Sequence, residues 1–224
     1  MNILITGISK GLGKEIGLAL KKSNCYNVMG TYNHTIPNKT DFNELFKINF
    51  NDKSEIDDFL SIIDNYNIDV LINNFHPGYK LKHSCKINPT DINSSFTNYI
   101  SPTIEITNHL IKNFKKKKNG IILNILSAYT IIDAPKGLSK YTAEKKYIET
   151  FNKYWHLENS QYNIFSIGIS PGIMKTSFHN SLDERFKEIM YKNNPIVDLK
   201  KVTDKIEQII SNPRKYSGKN ILIN

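Results

Sequence analysis

Tyr141 and Lys145 are the residues whose types and spacing are best suited to chemistry. They lie four positions apart in a stretch of helical pattern, residues 141–158, so their side chains share one face of the predicted helix. A free tyrosine has a pKa of ~10 and is a sluggish base at neutral pH. A lysine ammonium about 5 Å away, at an effective dielectric constant of ~20, favours the phenolate by roughly 3 kcal/mol. The pair therefore predicts an acid/base tyrosine whose pKa is lowered by its lysine.

Ser127 extends this pair to a site. Tyrosine and lysine are both frequent in the chain, so position matters more than spacing. The pair opens the helix that follows the fifth predicted strand, residues 121–126, and Ser127 stands at the end of that strand. Its hydroxyl can donate a hydrogen bond to a substrate oxygen on which negative charge develops. The three residues predict proton transfer at such an oxygen.

A glycine-rich turn, residues 6–13, is suited to binding a phosphate. Its sequence is Thr-Gly-Ile-Ser-Lys-Gly-Leu-Gly, between the first predicted strand and the first predicted helix. Glycines there allow the backbone to approach a pyrophosphate, and the helix N-terminus supplies free N–H groups and positive potential. A purely structural turn is the alternative. The binding interpretation assigns to a dinucleotide cofactor Gly7, Ser9, Lys10, Gly11, Leu12 and Gly13.

Apolar runs of strand length alternate with helical patterns along the whole chain. The predicted strands are residues 2–6, 26–31, 45–49, 69–73, 121–126, 164–169 and 220–223. The predicted helices are residues 12–22, 53–65, 93–114, 141–158 and 199–211. This alternation predicts an α/β fold, a doubly wound Rossmann-like parallel sheet of about seven strands with helices on both faces. We expect one domain over residues 1–224, in which residues 173–195 form a less regular substrate lid that includes Phe178 and His179.

Motifs spread over nearly the whole chain resemble those of the classical short-chain dehydrogenase/reductase family. They are Thr-Gly-x-x-x-Gly-x-Gly at 6–13, Leu-Ile-Asn-Asn at 71–74, Asn-x-x-x-Pro at 98–102, Ser127 with Tyr141 and Lys145, Pro-Gly-Ile-Met-Lys-Thr at 171–176, and Ser-Gly-Lys at 217–219. The resemblance implies an NAD(P)-dependent enzyme that interconverts a carbonyl and a secondary alcohol by hydride transfer.

The family pattern also implies roles for individual residues. The catalytic residues would be Ser127, Tyr141 and Lys145, with Asn98 holding a water that relays protons to Lys145. Asn49 stands where an Asp usually recognises the adenine amino group, and its carbonyl oxygen can still accept that bond. The remaining cofactor contacts would be Asn73, Asn74, Tyr141, Lys145, Pro171, Gly172, Ile173 and Thr176. No metal site is expected.

Two departures from the family pattern lie near the predicted reacting centre. Phe75 and His76 replace the usual Ala-Gly, and an ordinary loop histidine is the simpler interpretation of His76. Ser127 and Tyr141 are also separated by one residue more than is common, which places an extra residue in the loop around 135–140.

The cofactor is predicted to be NADP(H) rather than NAD(H). Enzymes that use NAD usually place an acid after the second strand, where it binds the adenosine ribose. Here the chain continues Thr31-Tyr32-Asn33-His34 without an acid until Asp41. Lys10 can direct a positive charge at the 2′-phosphate, and the alternative is that it is one more solvated lysine in a lysine-rich chain.

Composition limits the partners. The net charge of +9 comes from lysines spread along the chain, so nucleic-acid binding is not expected. Two cysteines and the lack of a membrane-length apolar run favour a cytoplasmic protein. We expect a small carbonyl or alcohol substrate, a homodimer or homotetramer, and an acyl carrier protein as a candidate partner for the basic surface. A 3-ketoacyl-carrier reductase or a sugar or polyol reductase are the specific candidates.

Two other functions compete with this one. A catalytically silent, nucleotide-sensing or scaffolding protein could share the fold, but such proteins typically lack the Tyr or the Lys. The epimerase/dehydratase branch usually carries a different glycine spacing and a longer C-terminal region.

Overall fold

Seven strands in the described part of the chain form one parallel sheet. The computed structural model describes residues 1–176, 183–193 and 195–224. The strands are β1 (Asn2–Ile5), β2 (Asn27–Tyr32), β3 (Glu44–Lys47), β4 (Val70–Asn73), β5 (Gly120–Ile125), β6 (Ile164–Pro171) and β7 (Asn220–Ile223). Their order in the sheet is β3-β2-β1-β4-β5-β6-β7, and every neighbouring pair is parallel. The predicted doubly wound sheet is confirmed.

Helices cover both faces of this sheet. They are α1 (Gly11–Lys22), α2 (Lys53–Ile63), α3 (Pro89–Ser95), α4 (Ser101–Lys117), α5 (Ser139–Asn159), α6 (Glu184–Asn193), α7 (Leu199–Ser211) and α8 (Pro213–Tyr216). Successive strand residues point to opposite faces. Ile3 and Ile5 therefore pack in the core with α1 and α7, while Leu4 packs in the core with α2, α4 and α5. Burial on both faces explains why the strands are almost continuously apolar.

A buried polar network lies under α4 and α5. Asn73 Nδ2, at the end of β4, donates to Thr107 Oγ1 and to Asn124 Oδ1, both at 2.9 Å. Asn124 Nδ2 in turn donates to Asn152 Oδ1 at 2.9 Å, and Ser166 Oγ donates to the same oxygen at 2.8 Å. The network joins β4, β5 and β6 to the helices above them.

The predicted helix over 93–114 is divided in the structure. It begins earlier, with α3, and a π-helical turn at Phe96–Ile100 separates α3 from α4. In this turn the N–H of Ser101 donates to the carbonyl of Phe96, five residues back. Pro102 lacks an N–H and cannot bond the Asn98 carbonyl, so the wider turn forms just before it.

The segment predicted to be a lid is more regular than expected. It contains α6, whose apolar residues Phe186 and Met190 pack with Ile173. Phe178 and His179 lie outside the described residues. No helix in the described ranges is long and apolar enough to cross a membrane.

Candidate active site

A cleft of about 540 Å³ opens at the carboxyl ends of the strands. It runs from the glycine turn after β1, past the loops after β2 and β4, to the start of α5 and the segment after β6. The sheet order reverses between β1 and β4, which is where ligands of open α/β sheets bind. The fold therefore places the predicted cofactor and catalytic segments in one cleft.

Ser127, Tyr141 and Lys145 come together in this cleft. Ser127 comes two residues after β5, Tyr141 lies in the first turn of α5, and Lys145 lies one turn further along. The Ser127 hydroxyl is hydrogen-bonded to the Tyr141 phenol. Lys145 Nζ lies 5.9 Å from the centre of the Tyr141 ring and donates to the carbonyl of Ile125 at 2.8 Å. The group provides two hydroxyls and one amine around a common space.

The acid/base properties of Tyr141 differ from the sequence expectation. Burial raises the pKa of Tyr141 above its usual value, and the hydrogen bond from Ser127 offsets this only in part. Burial also lowers the pKa of Lys145 to about 7. The expected lowering of the Tyr141 pKa is wrong for this structure, because burial disfavours the phenolate and weakens the charge of the lysine. The Tyr141 phenol is therefore protonated at neutral pH.

Asn98 is not brought together with the other three catalytic candidates. Its Oδ1 accepts a bond from Thr97 Oγ1 at 2.9 Å on the exposed side of the π turn, and it does not line the cleft. The neighbouring Tyr99 is buried instead, and its hydroxyl accepts a bond from Lys145 Nζ at 3.0 Å. The wider turn directs residue 99 towards α5, so the relay role of Asn98 stays a prediction.

The glycine turn has the shape that a pyrophosphate requires. Gly7 has a φ of +71°, and a Cβ on Gly13 would overlap the Gly7 carbonyl and the Asn74 amide. Asn74 Nδ2 holds the turn by donating to the carbonyls of Thr6 at 3.0 Å and Gly7 at 2.9 Å. No side chain among the described residues caps the start of α1, so its first N–H groups are available to an anion. The turn fits the phosphates of a dinucleotide.

The other predicted cofactor residues divide into two groups. Asn73 faces the polar network and does not line the cleft, so the structure does not support its predicted cofactor contact. Asn49 lines the cleft, although its Oδ1 already accepts bonds from Asn51 N at 3.1 Å and Asn33 Nδ2 at 3.4 Å. The predicted residues that line the cleft are Gly7, Ser9, Lys10, Gly11, Leu12, Gly13, Asn49, Asn74, Ser127, Tyr141, Lys145, Pro171, Gly172, Ile173 and Thr176.

Several cleft residues were not predicted from the sequence. Tyr79, Tyr129 and Ile132 line the cleft, together with Met190, which lies in the predicted lid segment. The Tyr79 and Tyr141 ring centres lie 4.8 Å apart. The positions of Tyr79, Tyr129 and Ile132 depend on segments that carry no periodic pattern, so the sequence did not indicate these three residues.

The fold and the site define a class, the dinucleotide-dependent enzymes with a serine, tyrosine and lysine at the reacting centre. The sequence model of the short chain dehydrogenase family matches residues 1–187. The chain therefore belongs to the short-chain dehydrogenase family, and it is an NAD(P)-dependent oxidoreductase.

Curated relatives agree with this assignment, and solved structures agree with the fold. The chain is 29% identical over 198 residues to the 3-oxoacyl-(acyl-carrier-protein) reductase FabG of Buchnera aphidicola subsp. Schizaphis graminum, covering 80% of this chain and 76% of the relative. Its fold is similar to that of ElxO with NADP bound, with a TM-score of 0.85, 22% identity and coverage of 99% and 96% of the two chains. A 4-hydroxyisoleucine dehydrogenase complexed with NADH is similar at a TM-score of 0.85 and 20% identity, over 100% and 96%.

Proposed function

We propose that the protein reduces a carbonyl group to a secondary alcohol, and catalyses the reverse reaction, with Tyr141 as the acid/base residue. One observation carries this proposal. Ser127 and Tyr141, which are hydrogen-bonded to each other, and the nearby Lys145 line the same cleft as the glycine turn that fits a phosphate. Ser127 comes from the turn after β5, whereas Tyr141 and Lys145 come from successive turns of α5, and a purely structural role would not require all three to face one cavity.

The residues divide the chemistry as follows. A nicotinamide dinucleotide held by the glycine turn, with Gly7, Gly11 and Gly13 in the cleft lining, would supply the hydride for the carbonyl carbon. Tyr141 donates its proton to the carbonyl oxygen, while the Ser127 hydroxyl donates a hydrogen bond to the same oxygen as its charge grows. The raised pKa of Tyr141 keeps it protonated at neutral pH, which suits reduction. Pro171, Gly172 and Thr176 line the cleft, and their backbone and hydroxyl groups would hold the carboxamide of the nicotinamide.

The proposal is tested with a panel of carbonyl and alcohol substrates, following the absorbance of the reduced cofactor. We expect turnover with at least one carbonyl and at least a tenfold loss in Ser127→Ala, with the cofactor dissociation constant little changed. Tight cofactor binding without turnover on any substrate would instead favour a nucleotide-sensing or scaffolding protein.

We infer NADP(H) as the preferred cofactor. The loop after β2 that lines the cleft contributes Thr31, Tyr32, Asn33, His34 and Thr35, and no Asp or Glu occurs among the described lining residues. Lys10 lines the same region. A charge-assisted bond from its ammonium to a 2′-phosphate supports NADP(H), and no carboxylate there would repel that phosphate.

Dissociation constants for NADPH and NADH test this inference. Lys10→Ala should weaken NADPH binding at least fivefold and leave NADH binding nearly unchanged. Lys14→Ala is the matched control, because Lys14 lies in the first turn of α1 and does not line the cleft. Tighter binding of NADH than NADPH by the wild type would contradict the assignment.

For the substrate, we propose a 3-oxoacyl thioester. The curated relatives are named as 3-oxoacyl-(acyl-carrier-protein) reductases, and the basic surface suits an acidic carrier protein. The cleft wall formed by Tyr79, Tyr129, Ile132 and Met190 suits an acyl chain better than a polyol. Comparing kcat/KM for 3-oxoacyl thioesters and for sugars or polyols decides between them, and faster turnover of a polyol would contradict the proposal.

We also propose a homodimer or homotetramer. Large apolar side chains are exposed on α3, on the π turn and on α5: Ile92, Phe96, Tyr147, Tyr154 and Leu157. Such a face fits burial against a second copy. Light scattering should give a dimer or tetramer at micromolar concentration, and Tyr154→Glu should weaken it. A monomeric wild type would contradict the proposal.

A further inference from the structure

His76 and Glu144 form a buried pair directly beside the reacting centre. His76 lies in the loop after β4, and Glu144 lies between Tyr141 and Lys145 on α5. The Nε2 and Oε2 atoms are 3.1 Å apart, and each side chain is only 3% exposed. Buried ionisable groups are costly unless they are hydrogen-bonded. The proposed function has so far used neither residue.

Hydrogen bonds fix the protonation of both groups. The N–H of Gly78 donates to His76 Nδ1 at 3.1 Å, so Nδ1 is the acceptor and Nε2 carries the proton donated to Glu144. Burial lowers the pKa of His76 to about 4, so the imidazole is neutral. Burial raises the pKa of Glu144, but hydrogen bonds from His76 and Lys140 outweigh this and keep that pKa below its usual value. A neutral imidazole thus holds a charged carboxylate.

The pair contacts the groups that hold and donate the proton. The His76 ring lies edge-on to two tyrosine rings. Its centre is 5.1 Å from the centre of the Tyr141 ring and 4.5 Å from that of the Tyr99 ring. Tyr99 in turn accepts the bond from Lys145 Nζ. His76 therefore packs between the proton donor and the partner of the active-site lysine.

Other groups also act on the proton of Tyr141. Lys140, Glu144 and Lys145 face the region from α5, and Tyr99 and Ser95 face it from the preceding helical segment. From the loops after β4 and β5, the groups are His76, Tyr79, Ser127 and Tyr129. Among these groups, Glu144 is the one that carries a negative charge at neutral pH. A negative charge near a phenol disfavours the phenolate.

We propose that His76 and Glu144 are positioning residues, which orient the Tyr141 ring and hold its proton so that the site favours proton donation to a carbonyl. This inference rests on the proposed function, since it assumes that Tyr141 transfers the proton. It assigns to Glu144 an electrostatic role and to His76 the role of holding Glu144 and packing against both tyrosines.

The test is the pH profile of kcat in both reaction directions. In Glu144→Gln the size is kept and the charge is lost, so the apparent pKa for alcohol oxidation should fall by about one unit. The alkaline limit of carbonyl reduction should fall with it. The partly exposed Lys140 donates a hydrogen bond from Nζ to Glu144 Oε1 at 2.7 Å. Lys140→Gln removes this positive charge, so the negative charge of Glu144 is less compensated and the apparent pKa for alcohol oxidation should rise.

Controls separate this role from a structural one. Glu149→Gln removes a carboxylate from the same helix, where Glu149 accepts a bond from Asn220, and it should leave the apparent pKa unchanged. Lower kcat with an unmoved pH profile in both Glu144→Gln and Lys140→Gln would overturn the inference. If Glu144→Gln does not fold, the upward shift of the apparent pKa in Lys140→Gln still tests the inference.

Tyr141→Phe separates this inference from the proposed function. If Tyr141→Phe is inactive and the apparent pKa does not shift in Glu144→Gln and Lys140→Gln, only this inference is refuted. An active Tyr141→Phe would refute the proposed function itself.

Discussion

Replacing Tyr141 by phenylalanine removes one hydroxyl and leaves the rest of the side chain in place. The lost group is the proposed proton donor and the hydrogen-bond partner of Ser127. The phenyl ring keeps its contacts with His76 at 5.1 Å and Tyr79 at 4.8 Å. The substitution therefore separates chemistry from packing.

The expected loss of turnover follows from the role of the hydroxyl. A positioned acid contributes ~10²–10⁴-fold to a rate, so kcat should fall at least ~10²-fold, or about 2.7 kcal/mol in the activation free energy. A neutral hydrogen bond contributes only about 1 kcal/mol to folding, which corresponds to a decrease in Tm of about 2–4 °C for a domain of this size. Cofactor affinity should change little.

The assay measures kcat by reduced-cofactor absorbance, the cofactor dissociation constant by fluorescence and Tm by circular dichroism. Tyr147→Phe is the matched control, because Tyr147 lies on the same helix and is exposed away from the cleft. Turnover of Tyr141→Phe close to that of Tyr147→Phe would refute the acid/base assignment.

Three further predictions concern groups that hold the site. Lys145→Met should lower both kcat and cofactor affinity at least tenfold in the same assays, because the bonds to Tyr99 and the Ile125 carbonyl are lost. Burial lowers the Lys145 pKa from 10.5 to about 7, so the unfolded chain binds more protons than the folded one between these pH values. The free energy of unfolding should therefore rise with pH across this window, and the rise should be absent from urea titrations of Lys145→Met. Gly13→Ala should weaken cofactor binding at least tenfold in fluorescence titrations, since the new Cβ overlaps the Gly7 carbonyl; unchanged affinity would contradict the geometry of the turn.

The sequence predicts the sheet well because its strands are buried on both faces. Each apolar run bounded by polar residues, such as residues 121–126, corresponds to one strand, and alternation with helices determines the parallel arrangement. The π turn at Phe96–Ile100 differs from an α-helix only in that an N–H bonds a carbonyl five residues back instead of four. The spacing of apolar residues is too coarse to predict this difference. The α6 helix was missed because its few apolar residues lie in a mostly polar segment.

The candidate site was predictable where topology alone decides position. Ser127 and Tyr141 stand at a strand end and a helix start, and these meet at one edge of any parallel sheet. The Tyr99–Lys145 bond and the His76–Glu144 pair join segments far apart in the chain, so neither spacing nor pattern indicates them. Asn73 could have been assigned better, since strand alternation places it on the same face as Leu71, towards α4.

The buried network of Asn73, Asn124 and Asn152 has a consequence for how the strands align. Sliding β4 past β5 by one residue would turn the Asn73 amide to the opposite, apolar face and separate it from Asn124. An unpaired buried amide costs roughly 1–3 kcal/mol, whereas Ile, Leu and Val side chains tolerate displacement with smaller penalties. The apolar core thus stabilises several alignments, and the amides select one of them. Asn74 follows β4 directly and Ser127 comes two residues after β5, so this alignment also sets how far each extends along the edge where the glycine turn and α5 begin.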